Sequence, residues 1–128
     1  SKKYGYVGTM DCEFTMGIEN HKIVHAGDYK TSNGIYETMA YQVSAYQHAA
    51  YEETGTQYGD KWILRFQKEN KIDKRSGEIL CAAGEFEAKV FPIEDHRDHF
   101  RAFLAALELK RQSKNWDSKY GFNSTRKY

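Results

Sequence analysis

The chain has 128 residues, 29% of them charged and 15% aromatic, with one proline and a formal net charge of +1. That composition suits one folded domain and excludes a disordered or fibrous chain, and its near-neutral balance leaves any nucleic-acid steering to local patches. No apolar run approaches the ~20 residues that cross a bilayer, and nothing at the start resembles a signal peptide, so the expectation is a soluble, cytoplasmic protein. Two cysteines, Cys12 and Cys81, are too few for an iron–sulfur cluster or a zinc site of their own and read as buried thiols.

Taken in chain order, Tyr4 to Ile18 and Ile23 to Thr31 read as two strands. The polar stretch "GIENHK" between them is turn-like, which predicts a hairpin. The run from Ile35 to Gly55 switches to helical spacing, with Met39, Val43, Tyr46 and Ala50 on one side and Gly55 as the stop. "KWILRFQKE" reads as a third strand, "NKIDKRSGE" as a polar connection, and "ILCAAGEFEAKVFP" as a fourth, interrupted strand. A second helix runs from Ile93 to about Gln112, acidic at its start and basic at its end, with Phe100, Phe103, Leu104 and Leu107 as its apolar stripe. Residues 113–128 form a polar, basic and aromatic tail beyond a domain spanning 1–112. The order β-β-α-β-β-α predicts an α/β fold, one sheet covered by helices.

The hairpin carries the chemistry. If the turn lies at Glu19-Asn20, with Ile18 facing His21, the paired positions sum to 39 and Asp11 stands directly opposite Asp28. Thr9 then pairs with Lys30 on the same face. One face holds Tyr6, Met10, Cys12, Phe14, Met16, Ile18, Ile23, His25 and Tyr29, and is expected to be core. The other holds Thr9, Asp11, Glu13, Thr15, Lys22, Asp28 and Lys30. Asp28 and Lys30 by themselves read either as a surface ion pair or as part of a site. Two opposed carboxylates repel, and a divalent cation such as Mg²⁺ relieves that cost. Lys30 beside them could orient or deprotonate a water on the metal, or offset charge on a phosphate. In the following helix, Gln42 and Tyr46 are four residues apart and share the apolar face. A buried amide there either bonds sheet carbonyls or reaches the acid pair.

The segments "YVGTMDCEF", "HAGDYKTSNGIYE" and "YQVSAY" resemble, in order, the G-x-x-D, D-x-K and Q-x-x-x-Y motifs of RecB-like nucleases of the PD-(D/E)XK superfamily, phage exonucleases in particular. The resemblance implies a restriction-endonuclease-like core and a Mg²⁺- or Mn²⁺-dependent deoxyribonuclease serving DNA processing, repair or recombination in a phage or bacterium. Asp11, Asp28 and the carbonyl of Tyr29 would hold the metal, and Lys30 and Gln42 would complete the catalytic set. Tyr46, Thr31 and Ser32 would face DNA. Arg65, on a strand face with Lys61, is a further candidate to track its backbone. Family members carry a helix before the first strand. With about ten residues ahead of Asp11, the expectation is an excised fragment, a naturally minimal protein lacking this element, or a chain that borrows it from a second copy or partner chain. The alternative reading is a catalytically weak or silent module that binds DNA or a partner protein.

Two further patterns favour a plain structural role. His96 and His99 have a zinc-compatible spacing without a third ligand and read as a solvated helix start. The cations Lys110, Arg111, Lys114, Lys119, Arg126 and Lys127, interleaved with Trp116, Tyr120 and Phe122, read as a solvated tail or a DNA track.

Overall fold

The computed structural model describes residues 1–17 and 23–121. The turn expected at Glu19-Asn20, with Ile18, His21 and Lys22, and the tail residues Phe122, Arg126 and Lys127 lie outside the described residues. The protein is a mixed α/β structure. Strands β1 (Cys12–Met16), β2 (Ile23–Lys30), β3 (Lys61–Phe66) and β6 (Phe86–Phe91) form a four-stranded sheet in the order β1-β2-β3-β6, and β4 (Lys71–Ile72) and β5 (Ile79–Cys81) form a separate two-stranded one. Helix α1 (Glu37–Thr54) joins β2 to β3, and α2 (His96–Tyr120) follows a single 3-10 turn, Ile93–Asp95.

β1 and β2 pair antiparallel as Cys12 with Gly27, Phe14 with His25 and Met16 with Ile23, the register in which paired positions sum to 39. β2 and β3 run parallel, Asp28 beside Ile63 and Lys30 beside Arg65. A parallel neighbour requires a crossover, and α1 is that crossover. Gly55 ends the helix as its spacing predicts: at φ 76° it takes the left-handed conformation that glycine adopts without penalty, and its N–H bonds the Tyr51 carbonyl at 2.8 Å.

Several boundaries differ from the sequence reading. Residues 1–11 are not strand; Ser1–Gly5 turn back on themselves, with the Gly5 N–H on the Ser1 carbonyl. "ILCAAGEFEAKVFP" is interrupted as expected, but its first part pairs with β4 rather than joining the main sheet. α2 runs past Gln112 to Tyr120, where Gly121 at φ 73° ends it.

The larger correction concerns which face of the sheet is inside. α1 packs on the side bearing Ala26, Asp28 and Ile63, and the core there is Ala26, Val43 and Ile63 with Met10, Ile35, Met39, Tyr58 and Phe91 around it. α2 packs on α1 rather than on the sheet. Of the hairpin face expected to be core, Met10 joins this cluster and Tyr6 packs against Ala45 of α1 and Phe103 of α2. The part on β1 and β2 is turned away from both helices, leaving Met16, Ile23 and Tyr29 about half exposed. Helix α1, held between sheet and α2, is buried on two sides: Ala40 and Val43 but also Ser44, Ala45 and Gln47 are inside. A single apolar stripe does not describe a helix with two partners.

Alternation along β3 turns Lys61, Ile63 and Arg65 toward α1. Lys61 is 1% exposed, and its ammonium has no hydrogen-bond partner among the described residues. Burial pushes its pKa down to about 8, against the opposing pull of Asp95 and Asp60. An unpartnered buried donor costs about 1–3 kcal/mol, and more when charged. Lys61→Met, which keeps the stem and removes the charge, is expected to raise the urea midpoint by an amount equivalent to about 1–3 kcal/mol. An unchanged or lowered midpoint would show that the ammonium is satisfied.

Candidate metal and phosphate site

The ladder of β1 and β2 ends at Cys12 and Gly27, and one step further along the same register Asp11 meets Asp28. Asp11 is exposed, just ahead of β1, and its Oδ2 accepts the Tyr29 N–H at 2.9 Å. Asp28, inside β2, is 3% exposed. The two carboxyl groups are in hydrogen-bonding contact and move apart in acidity. The contact with Asp28, then the Tyr29 N–H, hold Asp11 below the usual carboxylate range. Burial pushes Asp28 up, opposed by Lys30 and reinforced by Asp11.

Lys30 completes the cluster. Its Nζ lies 2.7 Å from Asp28 Oδ2 and donates to Gln42 Oε1 at 3.0 Å. Among the described residues no well-aligned hydrogen bond reaches Asp28 Oδ2, and the Lys30 ammonium is its close charge partner. Of the two readings open for Gln42, the amide reaches the acid–lysine cluster rather than the sheet carbonyls. Its side chain also meets the Tyr46 hydroxyl, one turn on; burial, then the Asp28 charge, raise the Tyr46 pKa.

Tyr46 explains the glycine of the first motif. A Cβ built on Gly8 would fall 2.7 Å from Tyr46 Cδ1 and closer still to Cε1. Real side chains do not approach rigid rings so closely, so Gly8 lets the segment carrying Asp11 lie flat across the Tyr46 ring. Glycine, acid, lysine, glutamine and tyrosine thus belong to one packed unit. Gly8→Ala is expected to lower the melting temperature by the equivalent of about 1–3 kcal/mol through overpacking, while Thr9→Ala changes it little. Equal effects would dissociate Gly8 from Tyr46.

The remaining candidates are placed differently. Glu13, on the acid face, is bonded by the Tyr58 hydroxyl and stands apart from the pair. Thr31 is exposed, and the Ser32 hydroxyl donates to the Gly34 carbonyl at 2.8 Å. Arg65, expected to face DNA, is instead 6% exposed. It donates to Glu87 Oε2 at 3.0 Å, Gln67 Oε1 at 2.6 Å and the Ser32 carbonyl at 3.2 Å, so it braces the loop after β2. The reason is its place on a central strand, on the face beneath α1. Gln67, 3% exposed, extends this brace to Asn33 at 3.1 Å and was given no role by the sequence.

Nor is the start of α2 solvated. The His96 ring meets Gln47 Oε1 through Nδ1 at 3.1 Å and stacks toward Phe100, and His99 meets Phe91 and Tyr41. Burial, then the Lys61 charge, lower the His96 pKa from 6.5 to about 4. Because this value is lower in the folded chain, the unfolded chain takes up the proton first as pH falls. Stability is therefore expected to decline from about pH 6.5 toward 4. Urea midpoints across that window measure it, and a His96→Asn chain should show a shallower slope. Arg111, from the basic end of the second helix, bonds the Tyr4 and Gly5 carbonyls at 2.8 and 3.0 Å and ties the N-terminal turn to α2.

Among the described residues no three His, Cys, Asp or Glu side chains gather into a group that could hold a metal ion. The Asp11–Asp28 pair is a two-carboxylate arrangement. That donor set suits a hard divalent cation whose other places are filled by carbonyl, water or phosphate oxygens. The Tyr29 N–H points toward Asp11, and in an extended strand the carbonyl of a residue leaves on the same side as its N–H. Among the described residues no helix is long and apolar enough to cross a membrane. No family model matches the chain, and no curated protein or solved structure matches it either.

Proposed function

We propose that the protein is a divalent-metal-dependent deoxyribonuclease of the restriction-endonuclease-like type, acting on DNA in phage or bacterial DNA processing. The observation that carries this reading is the convergence of Asp11 from the segment ahead of β1, Asp28 and Lys30 from β2, and Gln42 from α1, with one acid, one amide and one ammonium partly or wholly withdrawn from water. A purely structural hairpin gains nothing from opposed carboxylates, which repel. Beside a phosphodiester they have a use.

Asp11 and Asp28, with the Tyr29 carbonyl, would hold Mg²⁺ or Mn²⁺, which supplies Lewis acidity to the scissile phosphate and to the attacking water. Lys30 provides positive charge where the phosphate gathers negative charge, and Gln42 holds that ammonium through Oε1. Tyr46 fixes Gln42 from one side and the Gly8 segment from the other. Burial raises the Asp28 pKa, so cation binding at this pair should weaken as pH falls.

Two assays test the reading. Mn²⁺ should raise the melting temperature, and Asp11→Ala or Asp28→Asn should abolish the shift, since a ligand that binds only the folded state stabilises it. With Mg²⁺ the chain should hydrolyse linear DNA, and Asp28→Ala and Lys30→Ala should lose at least a hundredfold in rate, on the order expected for removing one charged group at the reacting centre. DNA retention that survives Asp28→Ala, with no cleavage in either metal, would instead assign the silent binding module.

A further inference from the structure

The sheet face turned away from α1 carries a row of aromatic rings at one end. Tyr29 on β2, Phe66 on β3 and Phe86 on β6 are 51%, 45% and 57% exposed. The Tyr29 and Phe66 ring centroids are 6.4 Å apart, and those of Phe66 and Phe86 are 5.0 Å apart. Phe66 and Phe86 are direct partners in the ladder, and Tyr29 stands diagonally across from Phe66. Three neighbouring strands thus present three rings side by side on a surface that no described helix covers.

This row shares its end of the sheet with the acid pair. Tyr29 separates Asp28 from Lys30 in the chain; its backbone N–H bonds Asp11 while its ring takes the opposite face. Beyond Phe66, the hairpin bearing β4 and β5 carries exposed Lys68, Lys71, Lys74 and Arg75. Four acids, Glu69, Asp73, Glu78 and Glu85, accompany them. Asp73 is turned inward, its Oδ1 accepting the backbone N–H groups of Arg75 and Ser76 at 2.7 and 3.2 Å. Glu85 Oε2 accepts the Cys81 thiol at 2.6 Å, so two of the four acids are engaged within the hairpin, while its four cations are exposed beside the rings.

We propose that Tyr29, Phe66 and Phe86 form a stacking platform for the bases of single-stranded DNA, leading a strand across the end of the sheet to Asp11 and Asp28. A base in a duplex has its faces hidden, whereas an unpaired base exposes a π-face that an aromatic side chain on a flat sheet can take. The exposed side chains of Lys68, Lys71, Lys74 and Arg75 provide for the phosphates. Only the destination of the strand rests on the nuclease reading; the platform itself does not.

The test is fluorescence anisotropy of a labelled oligodeoxythymidylate in EDTA, where no cleavage occurs. Phe66→Leu with Phe86→Leu keeps the apolar bulk and removes the rings. The double variant should bind on the order of tenfold more weakly or worse, Phe66→Trp should bind as well as the parent, and a blunt duplex of equal length should bind the parent less tightly. No binding by the parent, undiminished binding by the double Leu variant, or equal affinity for duplex would each overturn the proposal. Sedimentation that shows self-association retained with Leu and lost with Phe66→Asp would assign the face to a second copy, which also overturns it. Ring-dependent binding with no hydrolysis in Mg²⁺ or Mn²⁺ would leave the platform standing and remove the nuclease reading. Hydrolysis with ring-independent binding would do the reverse.

Discussion

A carboxylate that is 3% exposed cannot stay ionised without a cation at hand, and in this protein the Lys30 ammonium, 2.7 Å away, is that cation. Much else in the fold can be read as serving this pair. The register of β1 and β2 brings a second carboxylate, Asp11, against the first. Gln42 of α1 holds the ammonium from above. Tyr46 and Gly8 clamp the segment that delivers Asp11. The proposed metal-binding role rests on the same electrostatics: one positive charge faces two acids of unequal acidity.

The same layer holds other polar groups at unusual depth. Lys61, Arg65, Gln47 and Gln67 are each 6% exposed or less, and all lie between the sheet and the helices or beside that layer. Arg65 and Gln67 satisfy one another and their neighbours; Lys61 does not find such a partner among the described residues. The apolar core that remains is small, centred on Ala26, Val43 and Ile63. Polar interiors of this kind gain specificity from directional bonds but supply less hydrophobic stabilisation, so the few large apolar contacts carry more of the stability.

Apolar surface is displaced to the other side of the sheet, where Met16, Ile23, Tyr29, Phe66 and Phe86 stand about half exposed. Scattered apolar residues on a surface mean little, but the rings of Tyr29, Phe66 and Phe86 are direct neighbours. The concentration of rings at the end nearest the acid pair sets this surface apart from a uniformly aliphatic one. In that sense the two faces form a single design: charges and amides toward the helix, rings away from it.

The sequence by itself determined the register of the hairpin, the common face of Asp11, Asp28 and Lys30, the extent of α1 to its Gly55 stop, and the interruption before β6. These are local properties. They follow from a side-chain period of two on a strand, from a period of 3.6 on a helix, and from glycine's access to left-handed backbone. Tertiary structure alone decided that the charged face, not the apolar one, lies beneath α1, because that depends on which side the crossover between parallel β2 and β3 takes. It also decided that α2 rests on α1 instead of covering the sheet, and this buries Gln47 and Ser44 and partly covers His96, which no single-stripe pattern could identify. Arg65 and Lys61 became interior groups for the same reason: alternation along β3 says which residues share a face, but only packing says what that face meets.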